Sequence, residues 1–212
     1  MLHGLAQSGP YFEFKTKGFR RVLEPLGYEF FYATAPNKLS PADLPTDAED
    51  LGASSGDDYH TWIQPDPVKG DYRLPEVTVK YLKEYVLENG PFDGVCGFSQ
   101  GGGITGYLMT DFNNLLGLSE EEQPPLKFFI VFSGFRFTPA IYQEQYNAHP
   151  INVNSLHVRG QLDTVTDSGD IQRLYDSCTE DTRTLLEHPG GHFVPNSKGF
   201  VTKIADWLNS LE

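Results

Sequence analysis

The residues best suited to chemistry sit in Gly97-Phe98-Ser99-Gln100-Gly101. This is the spacing G-x-S-x-G, in which a serine stands on a sharp turn between a strand and a helix. Small residues two before and two after the serine let strand and helix pack closely. The turn pushes the hydroxyl out of the sheet edge and aims the free N–H groups of the helix start at the reacting atom. The context fits, since the apolar run Val95 to Phe98 precedes the serine and a helical pattern from Ile104 to Leu116 follows it. A Walker phosphate loop is excluded, because no Gly-Lys-Ser/Thr follows.

A lone serine is a poor nucleophile at neutral pH. It needs a base, and the base needs an orienting acid; on this turn the chain order is serine, acid, histidine. Asp163, in Gly160-Gln161-Leu162-Asp163, follows a strand and falls on a loop at its C-terminal end, where open α/β sheets carry their sites. Asp167 and Asp170 fall further out, at the start of the next helix, where an acid commonly serves as a cap. Among six histidines, His192 lies in Pro189-Gly190-Gly191-His192-Phe193-Val194-Pro195, after the last strand and before the last helix. Two glycines before it let the loop bend towards the serine. His3 comes too early in the chain, His60 falls in a long loop, His149 in a polar loop, His157 inside a strand and His188 at a strand end. Ser99, Asp163 and His192 are therefore the expected catalytic residues. Acyl transfer also needs N–H donors for the negative charge that builds on the carbonyl oxygen. The backbone N–H of Gln100 is one expected donor. The N–H of Leu5, in the turn-like opening Leu2-His3-Gly4-Leu5-Ala6-Gln7-Ser8-Gly9, is the other.

The elements that must position these residues alternate between strand-like and helix-like runs, the mark of α/β architecture with a mostly parallel sheet. Strands are expected at 28–33, 94–98, 128–132, 155–159 and 184–188, and the continuous apolar run Phe128 to Phe132 suits a strand buried on both faces. Helices are expected at 75–87, 101–116, 168–177 and 197–211, the first presenting Val79, Leu82, Tyr85 and Val86 on one face. Residues 36–75 carry six prolines and the acidic run Asp47-Ala48-Glu49-Asp50 without clear periodicity, which reads as a lid-like or loop insertion. Tyr59 and Trp62 suggest that it folds over something apolar. The chain opens at Leu2-His3-Gly4 with almost no strand before it, so either an N-terminal strand is missing or the sheet is short. Apart from the 36–75 insertion, residues 1–212 are expected to form a single domain.

The net charge of −13 repels phosphate backbones and anionic lipid surfaces, which argues against nucleic-acid and membrane partners. No run of about 18 apolar residues could span a membrane, and the N-terminus has neither a basic region nor an apolar stretch of a secretory signal. The two cysteines, Cys96 and Cys178, are too far apart for a metal-ligand spacing and fit core filler in a reducing compartment. A cytoplasmic, and in part nuclear, location is the expectation.

Taken with Glu88-Asn89-Gly90-Pro91-Phe92-Asp93-Gly94, Phe132-Ser133-Gly134 and His188 to Asn196, these motifs resemble the fungal family of serine hydrolases (FSH family) within the α/β-hydrolase superfamily. An animal relative of that family is the ovarian-cancer-associated serine hydrolase. The resemblance runs over nearly the whole chain. It implies an α/β-hydrolase fold, a mainly parallel twisted sheet with helices on both faces. It also implies hydrolysis of carboxylic esters or thioesters, with neither a metal nor an organic cofactor; the aromatics near the mouth of the site make a small-molecule substrate with an apolar acyl group of short to medium length the expectation. The family's nucleophile, acid and histidine match Ser99, Asp163 and His192. Gly102 and Gly103 depart from the family, which favours alanine there, and each costs the helix start roughly 1 kcal/mol unless close packing needs it. Tyr11, Phe12, Tyr59, Phe98, Phe135 and Phe193 are the aromatics expected near the mouth of the site. A serine peptidase, which shares the triad, and a non-catalytic binding protein on the same scaffold are the competing readings.

Overall fold

A computed structural model describes residues 1–44, 52–54, 56 and 58–211. The acidic run at 47–50 lies outside the described residues. The chain opens with α1 (Gly9–Lys15) and α2 (Lys17–Leu23). Two short antiparallel ribbons follow, β1 (Asn37–Leu39) with β2 (Tyr59–Thr61), and β3 (Gln64–Asp66) with β4 (Asp71–Arg73). From α3 (Glu76–Asn89) onward strands and helices alternate: β5 (Gly94–Phe98), α4 (Gln100–Leu108), α5 (Phe112–Leu116), β6 (Phe128–Phe132), α6 (Gln143–Ala148), β7 (Asn154–Gly160), α7 (Ser168–Asp176), β8 (Arg183–His188) and α8 (Lys198–Asn209).

The strands β5, β6, β7 and β8 form one sheet in that order, every pair parallel. Side chains alternate across a strand, and β6 shows the consequence. Phe129 and Val131 join one core with Leu82, Ile104 and Leu174, so α3, α4 and α7 cover that face. Ile130 and Phe132 join a second core with Phe12, Phe19 and Ile204, so α1, α2 and α8 cover the other. This is the α/β-hydrolase arrangement of a central parallel sheet between helical layers. Among the described residues no helix is long and apolar enough to cross a membrane.

Two expectations need correction. Residues 28–33 do not form a strand; only Ala33 takes part, through a parallel bridge to Leu2, which also bridges Gly97 of β5. Met1 and Leu2 are the residues beside that segment. They supply one bridge and the bonds from the Met1 ammonium to the Phe31 carbonyl and from the Ala33 N–H to the Met1 carbonyl, short of a ladder. The expected single helix at 101–116 is two helices broken at 109–111. There the Thr110 hydroxyl and N–H both turn back to the Tyr107 carbonyl, and Asp111 is extended at φ −167°. Threonine and aspartate offer the backbone such local alternatives to helical bonding. Within residues 36–75 the described residues include the two short ribbons. Trp62 is fully buried in the first core, where its indole N–H donates to the His3 carbonyl at 2.9 Å. Helices α1, α2 and α6 carry no signal strong enough to have been read in the sequence, each being seven residues or shorter.

Candidate active site

The four parallel strands all end at one rim, and each delivers a polar residue there. Ser99 follows β5, Ser133 follows β6, Asp163 lies three residues past β7, and His192 lies four past β8. The two later loops are joined as a continuation of the β7–β8 ladder, the Gln161 N–H donating to the His188 carbonyl at 2.8 Å and the Leu162 N–H to the Gly190 carbonyl at 3.0 Å. Asp163 and His192 are thus carried towards each other by backbone pairing, before any side-chain contact.

Ser99 has φ 52° and ψ −116°, a strained conformation for a residue with a side chain. It persists because its surroundings admit no alternative. A Cβ on Gly97 would overlap the carbonyl of Gly101, and a Cβ on Gly101 would overlap the carbonyls of Leu2 and His3. A Cβ on Gly102 would fall 2.8 Å from the Cα of Gly134, so close packing accounts for that glycine; at Gly103 it would meet the Phe135 ring at 3.0 Å and the buried Phe137 ring at 3.2 Å.

The Ser99 hydroxyl lies 3.0 Å from Nε2 of His192, and Nδ1 of His192 lies 2.9 Å from Oδ2 of Asp163. The side chains of His192 and Asp163 are each only 3 % exposed. With Nδ1–H donating to the carboxylate, Nε2 carries the lone pair that faces the serine hydroxyl. The carboxylate is fully coordinated, with Oδ1 accepting the N–H groups of Val165 and Thr166 at 2.9 and 3.1 Å, and Oδ2 the Ser133 hydroxyl at 2.7 Å. Burial alone would push Asp163 up, but the bonds from His192, Ser133 and Thr166 outweigh it and hold the group well below the usual carboxylate range. The His192 ring lies 4.8 Å from that of Phe98, centroid to centroid.

The rival residues are engaged elsewhere. Asp167 caps α7, accepting the N–H groups of Gly169 and Asp170, and Asp170 pairs with Arg173. His60 bonds the Ala35 carbonyl and Asp58, and His149 lies 4.0 Å from Asp111. Buried His157 sits between Ser155 and Cys178. His188 accepts the Gly190 N–H and so orders the loop that bears His192.

The amides of Gln100 and Leu5 have no hydrogen-bond partner among the described residues. Gln100 begins α4, and Leu5 sits in a turn that continues through Ala6 at φ 57°. Buried His3 fixes that turn, taking the Ala35 N–H on Nε2 at 3.0 Å and therefore donating from Nδ1 to the Gly4 carbonyl at 2.7 Å. Burial lowers its pKa to about 4, so it stays neutral. The Gln7 side chain accepts the Gly4 N–H, and the Gln100 side chain accepts the Trp62 N–H at 2.7 Å, which ties the end of β2 to the nucleophile turn. Ser133, Gln7 and the Gln100 amide side chain were not legible as site residues. Only the Phe132-Ser133-Gly134 motif, at the end of a buried strand, signalled the first.

A cavity of about 430 Å³ opens beside His192, walled by Phe12, Phe14, Phe98, Phe193 and Val194 with Lys15 at its side. Of the six aromatics expected at the mouth, Phe12, Phe98 and Phe193 line it, whereas Tyr11, Tyr59 and Phe135 do not. A larger cavity, about 880 Å³, lies at the opposite end of the strands around Met1, Val95 and Phe92 and is lined by none of Ser99, Asp163 and His192. Position relative to the convergent polar groups outweighs size, so the smaller cavity is the one that bears on the chemistry. Among the described residues no three or more His, Cys, Asp or Glu side chains are grouped to hold a metal ion.

A family model described as serine hydrolase (FSH1) matches residues 1–204. The chain is 60 % identical to "Family of serine hydrolases 2" of Saccharomyces cerevisiae, over all of this chain and 97 % of that one. It is 28 % identical to the "Esterase OVCA2" of Danio rerio, over all of this chain and 96 % of that one. The solved structure of the Zea mays acyl-protein thioesterase 2 superposes with a TM-score of 0.59 at 19 % identity, covering 99 % of this chain and 91 % of that one. At that identity the likeness speaks for the shared fold alone.

Proposed function

We propose, for a chain that belongs to the serine hydrolase (FSH1) family, that it hydrolyses carboxylic esters or thioesters with short to medium apolar acyl groups through a covalent acyl-enzyme. Ser99 is the nucleophile. His192 takes its proton on Nε2 as the serine oxygen attacks the acyl carbon, and Asp163 holds the imidazole tautomer and stabilises its charged form. The N–H groups of Leu5 and Gln100 receive the oxyanion, a contribution of roughly 10²–10³ in rate per donor in comparable sites. His192 then gives the proton to the leaving alkoxide or thiolate, the acyl group stays on Ser99, and a water activated by the same imidazole releases the acid.

One observation carries the assignment: the serine hydroxyl 3.0 Å from an imidazole whose other nitrogen is 2.9 Å from a buried carboxylate. The apolar lining and volume of the adjoining cavity suit a small acyl group. The names of the relatives lean the same way, one an esterase and one structure an acyl-protein thioesterase. The test is Ser99→Ala. Hydrolysis of a p-nitrophenyl ester and labelling by a fluorophosphonate probe should both vanish while the circular dichroism spectrum is kept. Activity surviving in that variant would refute the assignment, and cleavage of a peptide panel in preference to acyl esters would refute the substrate class.

A further inference from the structure

We infer that Ser133 is a positioning residue of the site, whose hydroxyl holds Asp163 in register with His192; this rests on the proposed hydrolase reading. The two neighbouring strands β5 and β6 end alike, each in a serine with left-handed backbone, Ser99 at φ 52° and Ser133 at φ 50°. Such a conformation is uncommon for any residue but glycine, and where it persists the surroundings impose it. At Ser99 it presents the hydroxyl to the histidine. At Ser133 it presents the hydroxyl to the acid, 2.7 Å from Oδ2.

The bond is built from both ends. The Ser133 N–H continues the sheet, donating to the Val158 carbonyl at 2.8 Å, and the residue is 1 % exposed. The next residue, Gly134, packs its Cα where a Cβ on Gly102 of the nucleophile helix would be. The Ser133 turn therefore touches the nucleophile's element through its backbone and the acid through its hydroxyl. Oδ2 is the same oxygen that accepts Nδ1–H of His192 at 2.9 Å, so two donors share it. A donor on a carboxylate oxygen withdraws charge from it and weakens its hold on a second proton. The Ser133 hydroxyl therefore sets both where the acid points and how strongly it stabilises the imidazolium. His188, at the end of β8, feels the Asp163 charge, and Lys15 of α1 lines the cavity beside His192.

Two variants separate the hydroxyl from the backbone. Ser133→Gly removes the hydroxyl and relieves the left-handed strain, and Ser133→Ala removes the hydroxyl and keeps the strain. Both should lose about tenfold in kcat with KM little changed, a modest fraction of the roughly 10² that a misplacement of about 1 Å costs. In both, the acid limb of the kcat/KM profile should differ from the parent's. The Nδ1–H proton resonance of His192 should move downfield in both. A pH profile and a resonance equal to the parent's in both variants would overturn the inference, as would full recovery in Ser133→Gly of what Ser133→Ala loses. The resonance decides the point without turnover. If the parent chain failed to label at Ser99, the hydrolase reading would fall, and the resonance would still report on Ser133.

Discussion

The Asp163 carboxylate receives four donors, two on each oxygen, so its position and charge are both determined. Asparagine in its place keeps the volume and offers an amide. It can no longer fix the Nδ1–H tautomer, since its NH₂ and the imidazole N–H would compete as donors. Asp163→Asn should therefore lower kcat by roughly 10⁴, the scale seen when a serine triad loses its acid, with KM nearly unchanged. A loss below tenfold in steady-state ester hydrolysis would count against Asp163 as the orienting acid. At this scale the convergence of Ser99, Asp163 and His192 was readable from spacing and chain order. The second donor on Oδ2 was not, because Ser133 and Asp163 are thirty residues apart and meet only through the adjacency of β6 and β7.

The elements act through close approach. Strand β5 and helix α4 meet at the nucleophile with no room for side chains at Gly97 and Gly101, and the opening turn at Leu2 and His3 lies against Gly101. That turn bears the Leu5 amide. Gly101→Ala should push it away from the helix start, costing about 1–3 kcal/mol of stability as other overpacked sites do and lowering kcat more than KM. Urea denaturation and ester kinetics on the same preparation test both parts, and a variant with parental stability and rate would show that the turn has slack. The alternation of elements and the four sheet strands could be read from apolar runs. The break between α4 and α5 could not, because the Thr110 hydroxyl competes with the helix by a bond that periodicity does not register.

Across the whole molecule, the imidazoles of His3 and His157 are buried in the neutral state. Desolvation lowers His3 to about 4 and His157 to about 3, whereas in the unfolded chain both titrate near ~6.5. As pH falls through that interval the unfolded chain binds protons that the folded chain refuses, so stability falls, by at most ~1.4 kcal/mol per pH unit for each group. Asp163 works the same way at lower pH: its lowered folded pKa gives stability that is present above about 3.9 and is lost as pH falls further. The urea midpoint should drop between pH 7 and pH 4.5, and His157→Gln should flatten the slope whatever it does to the midpoint at pH 7. A midpoint flat over that range would refute this. What the amino-acid sequence determined by itself was the local chemistry and its order: a serine on a glycine-flanked turn, an acid and a histidine after later strands, and apolar runs able to form a buried parallel sheet. Local patterns carry these because each depends on residues a few positions apart. Which strand neighbours which, the failure of residues 28–33 to form a strand, the burial of Trp62 and the meeting of Ser133 with Asp163 were decided only by the tertiary structure. Each depends on a partner distant in the chain, and hydrogen bonding and packing select that partner in three dimensions.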